Sequence, residues 1–120
     1  MSSNNDQYGA LIQLFLPKEI FDYFTLRKLD VTENKIHAYL DEKNNVPEGY
    51  EEEKLISKGF HSSITIQDFP IRDKPMFLHV RRRRWQVEST GKVVSRDWDT
   101  VAKGTRLTKD FATFLKGILG

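Results

Sequence analysis

The sequence predicts an α+β fold, in which short N-terminal helices and a C-terminal helix pack on a small antiparallel sheet. In the middle of the chain, Ile36, Ala38 and Leu40 alternate with polar or aromatic residues, the pattern of a strand with one buried face. Near the C terminus, apolar residues recur at the spacing of one helix face: Phe111, Phe114, Leu115 and Ile118. At 120 residues the chain can bury one modest core. We therefore expect a disordered tail over residues 1–7 and a single domain over residues 8–120.

The first half of the chain predicts two short helices and a hairpin. The first helix, which Pro17 closes, is predicted from three apolar residues: Leu11, Leu14 and Phe15. Pro17 also stands near the first position of the second helix, where proline is favoured. Two β-rich runs flank "DVTENK" and predict strands at about residues 24–31 and 35–42. The segment "EKNNVPEGYEEEK" then predicts the longest loop.

The second half predicts the rest of the sheet and the helix that covers it. A turn in "DFPIRDK" precedes a strand over about residues 76–85, and the turn "ESTGK" precedes a shorter strand. Thr108 is the expected N-cap of the C-terminal helix. We expect the apolar face of that helix to pack on Leu78 and Val80, with Trp85 at the edge of the core.

The sequence contains no catalytic or metal-binding motif. It has no cysteine, and its histidines His37, His61 and His79 lack the spacing of a zinc site. It also lacks a phosphate-binding glycine loop and a Gly-x-Ser-x-Gly motif. We expect no cofactor, no metal and no enzymatic activity of the chain by itself. The apolar runs are too short to span a bilayer, so no membrane partner is expected and the cytoplasm is the expected location.

Charge is distributed unevenly along the chain, although the net charge is only +2. Residues 1–70 carry 7 Lys or Arg and 12 Asp or Glu, whereas residues 71–120 carry 12 and 5. Such an asymmetry indicates an anionic partner for the basic half, and nucleic acid is the commonest partner of this kind.

The segment "HVRRRRWQV" places four consecutive arginines at the end of a predicted strand. Arg81 and Arg83 would share one face, because side chains alternate along a strand. Arg82 and Arg84 would share the other, and the spacing of about 6–7 Å on each face suits successive phosphates. Trp85 could then stack on a base. The run is equally typical of a solvated edge strand whose charges prevent aggregation, with Trp85 in the core.

A second basic segment, "VAKGTRLTKD", stands at the start of the C-terminal helix. Free backbone N–H groups at a helix start attract anions, and Lys103, Arg106 and Lys109 would add positive charge. The alternative is an ordinary helix cap with lysines that face solvent. The sequence leaves both alternatives open.

Three phrases occur in a characteristic order: "HSSITIQDFPI", "FLHVRRRRW" and "GTRLT". With "LPKEIFDYFTL" and "IHAYLDEKN", they make the chain similar to the N-terminal region of bacterial insertion-sequence transposases of the ISAon-one group, from about Leu11 to Lys116. That group resembles the zinc-ribbon head of transposases with an acidic-triad catalytic domain. The ribbon cysteines are missing here, and Trp85 stands where one would be expected, so zinc is not implied. A hydrophobic plug around Trp85 and Phe60 would take over the structural work of the metal.

The resemblance implies a DNA-binding module that recognises transposon ends and is non-catalytic by itself, as part of a split or truncated transposase. The implied partners are duplex DNA and a catalytic transposase subunit, and the implied location is the nucleoid. The basic residues of both segments would then contact DNA, with Trp85: Arg81, Arg82, Arg83, Arg84, Lys103, Arg106 and Lys109.

Two other functions remain open at this stage. In the first, the chain is a regulatory module whose acidic run Glu51–Glu53 binds a basic partner, such as the catalytic subunit. In the second, it binds single-stranded RNA through Tyr39, Trp85 and Trp98 as stacking platforms.

Overall fold

The computed structural model describes residues 10–104 and 108–119. It confirms the α+β class, with short helices before the strands and helices after them. The described elements, in chain order, are α1 (residues 10–15), α2 (Ile20–Tyr23), β1 (Phe24–Val31), β2 (Ile36–Glu42), β3 (Leu55–Phe60), β4 (Ile64–Ile71), β5 (Lys74–Arg81), β6 (Arg83–Val87), β7 (Val93–Val94), α3 (Trp98–Gly104) and α4 (Lys109–Leu119).

The larger sheet has the strand order β1-β2-β5-β4 in the described part of the chain. β1 and β2 form the predicted hairpin, with Phe24 opposite Glu42. β4 and β5 form a second hairpin through Arg72 and Asp73, whose positive φ angles of 52° and 66° suit a tight two-residue turn. β2 and β5 run parallel, since the chain leaves this sheet after β2, forms β3 in the other sheet, and returns as β4 at the edge before it turns back as β5. The sheet is therefore mixed and not purely antiparallel as predicted, since side-chain periodicity carries no signal for strand direction.

The other described strands form a second sheet, which is antiparallel and has the order β3-β6-β7. Trp85, Val87 and Val94 make its small core, with Tyr50 and Leu55 packed against them. Only 1% of Trp85 is exposed. Trp85 is therefore the centre of a second core, whereas we predicted that it lies at the edge of the first.

The strand predicted over residues 76–85 divides at Arg82, which belongs to neither β5 nor β6, and its backbone carbonyl accepts the N–H of His61 at 2.8 Å. In β5 the buried side chains are those of even-numbered residues, whereas in β6 they are those of Trp85 and Val87. Side chains alternate between the two faces of a strand with a period of two. A single residue outside the strand pairing, here Arg82, therefore reverses which face each later side chain points to. The chain thus changes sheets in the middle of its arginine run, and the predicted alternation does not continue across it.

Helix α4 covers one face of the larger sheet, as predicted. Thr108 caps it, since its Oγ1 accepts a hydrogen bond from the backbone N–H of Phe111 at 3.2 Å. Its four predicted apolar residues are all buried in the same cluster as Leu78 and Val80. Gly117 allows a close approach to the sheet, because a Cβ there would lie 2.9 Å from Cδ1 of Ile66.

Helix α1 buries a different face from the one its apolar residues predicted. Ile12 and Leu16 lie in the core, whereas the three residues used for the prediction are largely exposed: Leu11 (53%), Leu14 (79%) and Phe15 (61%). No helix in the described ranges combines the length and apolar character needed to cross a membrane.

The packing of α4 yields a first testable prediction. Phe114 is 4% exposed, and its ring meets that of Phe24 edge-on at a centroid distance of 5.7 Å. Phe114→Ala should lower the free energy of unfolding by about 3–5 kcal/mol, because it leaves a cavity under the helix. Urea denaturation measures this loss. Phe15→Ala, at an exposed position on α1, is the control and should change stability by about 0.5 kcal/mol or less. Equal losses in the two variants would show that α4 is not docked.

Candidate nucleic-acid interface

The four arginines lie where the chain passes from one sheet to the other. Arg81 is the last residue of β5, Arg82 lies between the sheets, and Arg83 and Arg84 begin β6. All four side chains are half-buried. Their partners differ, and this difference decides which of them can reach an anionic ligand.

Arg81 and Arg83 are committed to contacts within the protein. Arg81 donates two hydrogen bonds of 2.7 Å to the two carboxylate oxygens of Asp41. Arg83 donates from Nε to the backbone carbonyl of Glu42 at 3.0 Å and from Nη1 to Oγ of Ser57. Both guanidinium groups also lie over the ring of Phe60, at 4.2 and 4.6 Å from its centroid. These two arginines therefore join the sheets.

Asp41 is bound by a second cation. Nε of Arg27 lies 2.9 Å from Oδ2 of Asp41. Burial raises the pKa of Asp41, but the bonds from Arg81 and the charge of Arg27 outweigh it, so the net effect is a lowered pKa. Asp41 thus stays ionised and neutralises only one of the two cations beside it.

The guanidinium groups of Arg82 and Arg84 have no ion pair or hydrogen bond with any described residue. Nε of Arg82 is buried and unsatisfied within the described part of the chain. Both groups lie near His61, whose pKa is lowered by burial first and then by the charges of these two arginines. Nε2 of His61 lies 2.7 Å from Oγ of Ser95. This surface, which we call the arginine site, consists of Arg82, Arg84, His61 and Ser95.

An unsatisfied donor costs free energy. Because Nε of Arg82 is itself buried, an external anion would meet the terminal nitrogens of Arg82 and the guanidinium of Arg84, which are not buried. Two guanidinium groups without carboxylate partners also repel each other, and an anion between them would relieve the repulsion. The arginine site is therefore suited to a phosphate group. The sequence-based pairing of the arginines assumed one continuous strand, which ends at Arg81, and the sequence could not say which arginines are free.

The other predicted site residues lie elsewhere. The ring of Trp85 is buried, and its Nε1 donates to Oδ1 of Asn44 at 2.8 Å, so it offers no face to a base. Lys103 and Lys109 are exposed, at the end of α3 and the start of α4, on the side of the molecule where helices cover the larger sheet. Arg106 lies outside the described residues. The acidic run Glu51–Glu53 is an exposed turn.

A buried ion pair holds the arginine site in place. Glu42 is 1% exposed, and its Oε2 accepts a 2.7 Å bond from Nε of Arg96 while its Oε1 accepts the backbone N–H of Arg83 at 2.9 Å. Burial raises the pKa of Glu42 despite the bond from Arg96. The guanidinium of Arg96 also lies within 5.8 Å of the ring centroids of three aromatic residues: Tyr23, Trp85 and Trp98.

The face of the larger sheet opposite α4 carries a row of rings that sequence reasoning missed. His37 and Tyr39 on β2 and Phe77 and His79 on β5 all point to this face and are half-buried. Neighbouring rings in the row have centroid distances of 4.6 to 6.5 Å. The sequence did carry a signal for this row, because the residues that point away from the core on two predicted strands have aromatic or imidazole rings. Trp98, by contrast, is 4% exposed, so of the three residues considered for stacking on RNA only Tyr39 lies on an open face.

The two histidines of this row form a hydrogen-bonded pair. Nδ1 of His37 lies 2.8 Å from Nε2 of His79, and Nδ1 of His79 lies 3.0 Å from Oγ1 of Thr65. Burial lowers the pKa of His79, and the neighbouring His37 lowers it further. The described residues contain no group of three or more His, Cys, Asp or Glu that could hold a metal ion.

No family model, curated protein or solved structure matches the chain. The similarity to insertion-sequence transposases stays a prediction that rests on the motifs quoted above. The arginine site and the ring row are therefore the features of the molecule from which a function can be inferred.

The buried ion pair yields a second prediction. Arg96→Met keeps apolar contact with the surrounding rings but leaves the Glu42 carboxylate buried without a counter-charge. The free energy of unfolding should fall by about 3–5 kcal/mol. Glu42→Gln combined with Arg96→Met should recover part of the loss, because no buried charge remains unpaired. Lys54→Met, which breaks the exposed pair of Lys54 with Glu88, should cost about 1 kcal/mol or less. A similar small loss in Arg96→Met would contradict the role of the buried pair.

The histidine pair yields a third prediction, on pH. Because the folded state lowers the pKa of His79, its contribution to stability is fully present above the ordinary value of about 6.5. It is lost as the pH falls through the lowered value. The melting temperature should thus drop between pH 7.5 and 5.5, and His79→Gln should reduce the drop without abolishing it, since His61 still titrates. NMR titration of the His79 ring protons checks the premise, and a midpoint above 6.5 would overturn it.

Proposed function

We propose that this chain is a non-catalytic DNA-binding module that holds phosphates of the duplex backbone at the arginine site. The observation that carries the proposal is the unsatisfied Nε of Arg82 beside the free guanidinium group of Arg84. These two side chains supply positive charge that no described carboxylate neutralises.

The four arginines have different contacts, and this difference supports the proposed function. Arg81 and Arg83 are held by Asp41, Ser57 and the backbone of Glu42, so the backbone between them has a defined conformation. Arg82 and Arg84 are thereby presented together beside His61. Contacts of this kind fix the position of a protein on DNA and release counterions, but they read no base sequence.

In the more specific form of the proposal, the duplex is a transposon end and the chemistry is supplied by a separate catalytic transposase subunit. The similarity of the motifs to the ISAon-one group supports this form. The alternative is that Glu51–Glu53 binds a basic protein partner, and the exposure of these three side chains supports it. The same experiment separates the two.

The fourth prediction tests the arginine site. Arg82→Ala with Arg84→Ala should weaken binding to all duplex sequences alike and lower the slope of log K against log salt by about 2, because two phosphate contacts are lost. Electrophoretic mobility shifts with a 20-base-pair duplex across a salt series measure the slope. Lys18→Ala with Lys116→Ala removes the same charge from exposed positions elsewhere and is the matched control.

Arg81→Ala with Arg83→Ala should instead lower the free energy of unfolding, since these side chains join the two sheets. Glu51–Glu53 replaced by alanines should leave duplex affinity unchanged or slightly higher, because negative charge is removed. An unchanged slope in the folded Arg82/Arg84 variant would reject the phosphate assignment. Association with a basic protein without any shift of DNA would favour the regulatory alternative.

A further inference from the structure

The larger sheet is covered by helices on one face only, as far as the described residues show. The covered face buries the apolar even-numbered residues of β2 and β5 in the same cluster as those of α4: Ile36, Ala38, Leu40, Met76, Leu78 and Val80. The opposite face carries the ring row, in register: His37 lies beside Phe77, and Tyr39 lies beside His79. Phe77 is notable here, because an apolar ring on a face without a covering layer gains little from burial.

The rings of this row are close to parallel. The planes of neighbouring rings differ by 19° to 28°. The imidazoles of His37 and His79 have centroids 5.0 Å apart, with their nearest nitrogens 2.8 Å apart. These two distances mean that the imidazoles meet edge to edge. The rings of Tyr39 and His79, with centroids only 4.6 Å apart, instead overlap face to face, so a base can reach only one face of each. The hydrogen bonds from Thr65 through His79 to His37 hold this arrangement in place.

Cations border the row at the side of Tyr39. The guanidinium of Arg27 and the ammonium of Lys28 lie 5.3 and 5.5 Å from the centroid of the Tyr39 ring. Arg81, next to His79 along β5, shares Asp41 with Arg27, which leaves one positive charge in excess. A near-parallel set of rings beside positive charge complements a base that is attached to a phosphate.

We propose that this face binds unpaired bases of single-stranded DNA, which stack on His37, Tyr39, Phe77 and His79 while Arg27 and Lys28 hold the neighbouring phosphates. The inference rests on the proposed function, because it takes the partner to be DNA and adds contacts to its bases. Bases within a duplex are stacked on one another and present no free face, so the ring row selects an unpaired segment.

The test compares four fluorescein-labelled probes by fluorescence anisotropy at one salt concentration: a dT12 strand, an abasic 12-mer with the same phosphates, a 12-base-pair duplex and a U12 strand. We expect dT12 to bind the full chain at least about fivefold more tightly than the abasic strand, since each stacked base contributes that much or more. Equal binding of dT12 and the abasic strand would overturn the inference and leave phosphate binding intact. Failure of all four probes to bind would reject the proposed function as well.

Variants assign the effect to the ring row. Phe77→Ala and Tyr39→Ala should each weaken dT12 binding at least about fivefold and leave the abasic strand unaffected. Phe77→Tyr and Tyr39→Phe, which keep a ring, should bind dT12 as the natural sequence does. Phe15→Ala removes an exposed ring from α1 and is the matched control. Unchanged dT12 binding in both folded alanine variants would overturn the inference.

Two further outcomes would reassign the face. Tighter binding of U12 than of dT12 would overturn the assignment to DNA. A dimer in sedimentation velocity that dissociates on Phe77→Ala, with dT12 affinity unchanged, would assign the face to a second copy of the chain.

Discussion

The buried carboxylate of Glu42 is the constraint on which the rest of the structure depends. It ends β2, in the larger sheet, and its two oxygens are bound by the backbone N–H of Arg83 and the guanidinium of Arg96. Arg83 begins a strand of the smaller sheet, and Arg96 follows the last strand of that sheet. Because a buried carboxylate is costly unless it is fully bonded, these contacts hold both sheets against the same point. Arg96 also packs among aromatic rings of both cores, Trp85 and Trp98 included.

The contacts of Glu42 lie where the chain passes from one sheet to the other, and this position explains why the four arginines have different roles. The chain must leave one sheet and enter the other within the arginine run, so each arginine meets a different environment. Arg81 faces Asp41 across the parallel pair of strands, and Arg83 returns to the backbone of Glu42. Arg82 lies between the ladders, where its Nε is buried without a described partner, and Arg84 has none either. Arginines that join the sheets thus alternate with arginines that we propose bind a ligand, because the chain changes sheets there.

The two proposed surfaces would contact different parts of a nucleic acid. The arginine site offers charge to phosphates, and the ring row offers flat apolar surface to bases. A protein that contacts an opened or frayed DNA segment needs both kinds of contact, whereas one that follows an intact duplex backbone needs only the first.

Local patterns in the sequence were sufficient for the elements whose signals are local. Alternation predicted the first hairpin, and helical spacing with the Thr108 cap predicted α4 and its buried face, because propensity and amphipathicity act over a few residues. The parallel pairing of β2 with β5, the division of the strand at Arg82 and the burial of Trp85 in a second core depend on contacts between distant segments. The site follows the same rule: the sequence by itself determined that basic residues are concentrated in the second half. Only the tertiary structure decided which arginines are free, because that depends on the carboxylate of Asp41 and the backbone carbonyl of Glu42, about 40 residues away in the chain.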